Sequence, residues 1–190
     1  GILLVPAFAL VLTTNLLTVL LALVAVAIAG VYPFMKRYTY MPQAVLGAAF
    51  AWGIVMAFAA VSGEVPQVAW LLFIAAVVWT VAYDTQYAMV DRDDDIRIGV
   101  KSSAILFGDL DNIMIGVLQV SFVTIMVLVG QQITLTWPYY LGLCSAVGLF
   151  VYQQTLTWHR QREACLAAFL NNHWAGAGIF LGVVAHFLLR

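Results

Sequence analysis

Charge is scarce in this chain: only 9% of its residues are Asp, Glu, Lys or Arg, and the formal net charge is -1. Without a basic stripe it does not read as a nucleic-acid-binding protein. A chain so poor in charge and so rich in apolar residues is not disordered either. Cysteine is nearly missing. Cys144 and Cys165 form no CxxC or other metal-ligand spacing, which leaves no disulfide framework or zinc site, and both read as packed thiols. There is no HExxH, no glycine-rich phosphate loop and no Ser/His/Asp set. His159, His173 and His186 are scattered, with no carboxylate or second histidine at ligand spacing, so we expect them in packing or interface roles.

What the chain has instead is apolar length. Hydrophobic residues make up 64% and mean hydropathy is +1.00, whereas an ordinary soluble domain is about half apolar and about a quarter charged. The expected solvent is a lipid bilayer, and the expected fold class is an all-α polytopic transmembrane helix bundle. Runs long enough to span extend from Asn15 to Tyr32, Pro42 to Val61, Pro66 to Tyr83, Asp111 to Gly130, Trp137 to Thr155 and Ala167 to Leu189. Residues 1 to 12 resemble the end of another, giving about six and a half helices. Gly1 opens inside an apolar run without an initiator Met, a basic leader or a cleavage site. We therefore expect residues 1–190 to form one transmembrane domain truncated at its N-terminus.

Threading the spans alternately puts Lys36, Arg37, Arg92, Arg97, Lys101, Arg160 and Arg162 on one side and only Arg190 on the other. By the positive-inside rule the first side is cytoplasmic. Trp70, Trp137, Tyr139, Tyr140, Trp158 and Trp174 fall near expected helix ends, as an aromatic belt would. Asp109 and Asp111 read as caps at a helix start, where acids suit the dipole. Asn171 and Asn172 read as a cap of the last span, or as groups facing a cavity.

The few charges are not spread evenly. Between Tyr83 and Asp95 stand five carboxylates, at the end of an apolar run. Asp84, Asp91 and Asp95, at i, i+7 and i+11, fall within a stripe ~40° wide if the backbone is helical. Three carboxylates on one face repel one another unless a cation neutralises them. Oxygen-only ligands favour Mg²⁺ or Ca²⁺ over zinc, and Mg²⁺ that also holds phosphate oxygens fits best. A solvated acidic loop that merely ends a helix is the competing interpretation. We read Asp91 to Ser102 as a cytoplasmic loop interleaving acids with bases, where Lys101 and Arg97 can meet phosphate oxygens. Lys36 and Arg37 supply two more cations on the same side, either as topology determinants or as part of a diphosphate clamp.

The run Val31-Tyr32-Pro33-Phe34-Met35-Lys36-Arg37-Tyr38, the stretch Leu46 to Phe50 and above all Ala82 to Ser102 resemble the membrane-embedded aromatic prenyltransferases of the UbiA type. Ala104 to Gly108, Tyr152-Gln153-Gln154 and Arg162 to Cys165 extend the likeness over nearly the whole chain. Within that family it is similar to the enzymes that prenylate 4-hydroxybenzoate for ubiquinone. The resemblance implies a nine-helix fold with two aspartate-rich motifs that hold Mg²⁺ on the diphosphate of a polyprenyl donor, in a bacterial inner membrane. Asp91 and Asp95 match the second motif, while no counterpart of the first occurs in these 190 residues. Asp91, Asp95 and Arg37 are then the expected catalytic residues, with Asp84 as a further metal ligand. Arg37, Lys36, Lys101 and Arg97 are expected to bind diphosphate, and no residue announces itself as the acceptor-binding group. Competing expectations are another acceptor, such as a naphthoate, homogentisate or haem, and, from other classes, a cation transporter or a membrane scaffold. A transporter would place its acids nearer the bilayer midplane.

Overall fold

The structure, a computed structural model, describes residues 4–189. Every regular element among them is helical: α1 (Leu4–Leu12), α2 (Leu16–Val31), α3 (Met35–Tyr38), α4 (Pro42–Ser62), α5 (Gln67–Ile98), α6 (Ser103–Phe107), α7 (Asp111–Gln132), α8 (Trp137–Thr157) and α9 (Arg162–Leu188). A bilayer suits this outcome, since a helix satisfies its backbone groups within a single segment in hydrocarbon. The six long helices and the short α1 agree with the expected count. Four segments are long and apolar enough to cross a membrane: Leu16–Tyr38, Pro42–Ser62, Gln67–Ile98 and Ser103–Gln132. Helices α8 and α9 also have spanning length, at 21 and 27 residues. The outer surface is studded with residues such as Val61, Leu20, Val120 and Phe180, a liability in water and the expected covering in lipid.

The ends of the helices follow local chemistry. Asn15 caps α2 by accepting from the Thr18 backbone N–H at 2.9 Å, and its amide donates to the Ala59 carbonyl at 2.6 Å, pinning α2 to α4. Trp52 Nε1 makes a second tie between these helices, to the Leu21 carbonyl at 2.9 Å. Pro42 sits in the first turn of α4, where its missing N–H costs nothing.

Helix α5 departs from expectation. It does not end at Tyr83 but runs unbroken for 32 residues to Ile98, so Asp91 to Ile98, expected as loop, are its last two turns. Between Pro66 and Gly99 the sequence contains no glycine or proline, and charge alone does not stop a helix. Gly99 does, at φ 73°, where its N–H reaches the Asp95 and Ile96 carbonyls.

The tightest seam joins α8 to α9. A Cβ on Gly142 would lie 2.5 Å from the Gly178 carbonyl oxygen, and one on Gly182 would lie 2.8 Å from that of Pro138. Gly178 and Gly182 form the small-xxx-small spacing that lets membrane helices approach backbone to backbone. Tyr139, expected in an aromatic belt, is 1% exposed and donates its hydroxyl to the Met126 carbonyl at 2.7 Å. It is a core residue because a phenol that finds a buried acceptor gains nothing from the interface.

Asn171 and Asn172 do not cap α9, which starts nine and ten positions earlier, at Arg162. They belong instead to a ladder of amides through the bundle. Asn172 Nδ2 donates to Gln86 Oε1 (2.9 Å), and Gln86 Nε2 and Gln119 Nε2 both donate to Gln153 Oε1 (3.1 and 3.0 Å). Gln153 Nε2 donates to Asn171 Oδ1 (3.1 Å), and Trp79 Nε1 donates to Asn172 Oδ1 (3.0 Å). The ladder ties α5, α7, α8 and α9 where apolar contact alone gives little drive for helices to associate.

Candidate functional site

Below the ladder the helices open into a small cavity of about 110 Å³. It is lined by Tyr32, Lys36, Gln43, Asp84, Tyr87, Ala88, Asp91, Asp95 and Ser102. The three carboxylates come from one face of α5, as their spacing requires once the helix continues past Tyr83. Lys36 arrives from α3, Gln43 from the first turn of α4, and Ser102 from the turn before α6. The chain thus brings together Asp84, Asp91, Asp95 and Lys36, positions up to 59 apart in sequence.

Three buried side-chain oxygens lack a partner among the described residues: Gln43 Oε1, Ser102 Oγ and Asn112 Oδ1. The first two belong to residues that line this cavity. An unpaired buried acceptor such as Gln43 Oε1 is expensive, whereas Ser102 carries a hydroxyl that can donate to the neighbouring Asp95 carboxylate. No group of three or more His, Cys, Asp or Glu side chains converges closely enough to hold an ion alone among the described residues. That donor set fits Mg²⁺, which typically takes one or two carboxylates and completes its octahedron with waters and substrate phosphates. Gln43 was not among the residues expected from sequence. A lone amide one position after a helix-starting proline carries no motif, and only its burial at 2% exposure marks it.

The other expected cations lie outside the cavity lining. Arg37 is exposed on α3 beside Lys36. Lys101 donates from its backbone to the Lys36 carbonyl (3.2 Å) and from Nζ to the Tyr38 carbonyl (3.3 Å), with Nζ 5.1 Å from the Tyr40 ring centroid. This stitches the α5–α6 turn to α3, so both basic segments rim one opening. Arg97, expected to meet phosphate, is exposed and 3.8 Å from Asp94 on its own helix; because α5 stays helical to Ile98, it falls ~140° from the carboxylate stripe, on the far face.

Asp111, expected as a helix cap, accepts the Asn112 backbone N–H at 2.7 Å in the first turn of α7, and it does more besides. Its side chain is wholly buried, and Arg160 Nε donates to both carboxylate oxygens at 3.0 Å, with a terminal nitrogen 2.9 Å from Oδ1. Arg92 lies 3.7 Å from Oδ2. A carboxylate at this depth needs a cation, and its bidentate partner is 49 residues away in sequence. Hydrogen bonding to Asp111 in turn holds the Arg160 guanidinium above its ordinary value.

Comparison with known proteins agrees with this architecture. The UbiA prenyltransferase family profile matches residues 1–176. A 4-hydroxybenzoate octaprenyltransferase from Photobacterium profundum is 56% identical over 190 residues, covering 100% of this chain and 66% of that protein. One from Escherichia fergusonii is 58% identical over 182 residues, covering 96% of this chain and 63% of the relative. The chain therefore spans about two thirds of the length of these curated relatives. Among solved structures, a UbiA homologue from Aeropyrum pernix K1 superposes with a TM-score of 0.75 at 23% identity, over 93% of this chain and 68% of its own. A digeranylgeranylglyceryl phosphate synthase gives 0.74 at 17% identity, over 97% and 66%. These two likenesses concern the fold.

Proposed function

The chain belongs to the UbiA prenyltransferase family, and from that premise we propose that it forms the greater part of a Mg²⁺-dependent polyprenyltransferase acting on 4-hydroxybenzoate in ubiquinone synthesis. One observation carries the reading: an oxygen-lined cavity with Asp84, Asp91 and Asp95 facing Lys36, in a chain 56% and 58% identical to proteins named for that reaction. Residues 1–190 are then one transmembrane prenyltransferase domain, its aspartate-bearing end turned to the cytoplasm of a bacterial inner membrane because the basic residues gather there.

The cavity has room for a diphosphate head, at about four waters' volume, and none for a polyprenyl tail. The tail would lie outside it, along apolar helix surfaces and into lipid. Asp91 and Asp95, with Asp84 deeper on the same face, would hold Mg²⁺, which supplies charge to bind the diphosphate and ease its departure. Lys36 lines the same place, and Arg37 and Lys101 lie on the neighbouring segments, offsetting charge that grows on the leaving oxygen as the allylic C–O bond breaks. The electron pair leaves with the diphosphate. The ring carbon ortho to the phenol of 4-hydroxybenzoate bonds to the allylic carbon, and the ring then loses its proton. The surrounding bundle excludes water that would otherwise capture the cation as an alcohol.

Membranes containing the full-length protein, given radiolabelled octaprenyl diphosphate, 4-hydroxybenzoate and Mg²⁺, should form labelled product that EDTA abolishes. Donor binding without transfer to this ring would move the proposal to another aromatic acceptor, and absence of Mg²⁺-dependent donor binding would overturn it.

A further inference from the structure

The site depends on which way the last turns of α5 face, and charged side chains flanking the carboxylate stripe bear on that azimuth. At ~100° per residue, the mean direction of Asp84, Asp91 and Asp95 has Arg92 ~80° to one side and Asp94 ~80° to the other. Both flanks are tied to neighbouring helices. Arg92 reaches Asp111 at the start of α7, 3.7 Å away. Asp94 receives a hydrogen bond from Arg162 at the start of α9, at 2.8 Å, and the same Arg162 nitrogen lies 3.7 Å from Asp91 Oδ1, so this arm also touches one of the carboxylates directly. We propose that the Arg92–Asp111–Arg160 cluster is a rotational clamp that positions Asp91 and Asp95 for metal and diphosphate, with the Arg162–Asp94 pair as its outer arm.

The two arms differ in kind. Asp111 is fully buried, and its bidentate bond to Arg160 fixes it before Arg92 arrives. Arg160 is itself constrained: its backbone takes the left-handed φ of 53°, and its terminal nitrogen donates to the Asp109 carbonyl at 2.7 Å. Asn112, next to Asp111, donates to the Thr157 carbonyl at 3.0 Å, so the start of α7 is bound to the end of α8 as well. Beneath lies a small apolar cluster of Ala88, Met89, Ala104, Ile115 and Cys165, drawn from α5, α6, α7 and α9. The outer arm is exposed, with 61% of the Arg162 side chain and 49% of Asp94 in solvent, and pairs of that sort hold weakly. Of the two arms, the buried one therefore adds more to the resistance that helix packing already gives. Neither Arg92 nor Asp111 lines the cavity, so both act through the carboxylates that do.

The clamp rests on the functional reading above, and its test separates the two. Arg92→Gln in the full-length protein removes only the long arm and leaves the Asp111–Arg160 pair whole. Purified protein in detergent is titrated with Mn²⁺ while binding of farnesyl diphosphate is followed. Losing a group that orients metal ligands weakens metal affinity about 10-fold, so the Mn²⁺ midpoint should rise by that factor while the metal-free melting temperature stays put. Arg92→Lys, which keeps the charge, should recover most of the shift. Asp111→Asn should raise the midpoint as well, and the double variant should go no further than the larger single one, because both break one linkage. A Mn²⁺ midpoint unchanged in folded Arg92→Gln overturns the clamp. A wild-type protein that binds no prenyl diphosphate at any Mn²⁺ concentration overturns the parent reading instead.

Discussion

Two polar regions lie within one apolar bundle, and they are built on opposite rules. In the ladder of Gln86, Gln119, Gln153, Asn171 and Asn172, amides donate to amides at 2.9 to 3.1 Å, and the indole of Trp79 completes the set. In the cavity, Gln43 Oε1 has no partner among the described residues, and three carboxylates crowd onto one helix face. A closed network rigidifies the structure that contains it. An open one holds unspent bonding capacity and is less stable for it, which is how binding sites differ from cores. Substitution should therefore read out differently in the two places, as stability in the ladder and as function in the cavity.

The largest effect is expected in the cavity. Asp91→Asn and Asp95→Asn in the full-length protein should each cut prenyl transfer by about 10²–10³ or more, the usual loss when one electrostatic contact to a reacting group is removed. Neither should lower the melting temperature, because each relieves repulsion among like charges. Transfer within a few fold of wild type in either variant would sink the metal assignment. In the ladder the sign reverses. Gln153→Leu strands the donors of Gln86 and Gln119 and the Asn171 oxygen, and at about 1–3 kcal/mol for each orphaned group the protein should melt several degrees lower. A Gln153→Leu variant that melts like wild type would show that the ladder is not the brace described. The seam between α8 and α9 offers a third probe. Gly178→Leu forces a side chain against α8 and should destabilise by about 1–3 kcal/mol, again read by melting, with the Mg²⁺ dependence of the surviving folded fraction unaltered.

The cavity is more legible in the sequence than the ladder, for a physical reason. Periodicity along one helix is local information, so the spacing of Asp84, Asp91 and Asp95 is enough to disclose their common face. The acidity of Asp91 to Asp95 misleads about backbone, suggesting a loop where the helix continues to Ile98. The signal that corrects it is negative: no glycine or proline before Gly99. Asp111 looks like a cap because its position at a helix start is local, whereas Arg160, the partner that explains its burial, is far along the chain. The ladder is legible only as a question, since glutamines and asparagines within apolar spans must find partners, yet nothing in one chain says which partners. Tyr139 misleads in the same way, its acceptor on the neighbouring helix α7 being invisible to composition.

The smallest effect is the most discriminating, because it falls at a cavity residue that carries no sequence motif. Gln43 is buried at 2% exposure and its Oε1 bonds to nothing described. If that oxygen were structural, Gln43→Leu would destabilise, as Gln153→Leu should. If it serves the cavity, replacing an unsatisfied amide by an apolar group of similar size removes a desolvation penalty, so stability should hold or rise by up to about 1 kcal/mol. Meanwhile Mg²⁺-dependent binding of farnesyl diphosphate should weaken several-fold, a loss in line with one neutral hydrogen bond of about 1 kcal/mol. Melting and binding measured on the same preparation therefore move apart for Gln43 and together for Gln153. A Gln43→Leu protein that melts lower and binds donor normally would place this amide with the ladder and leave the carboxylates alone to define the site.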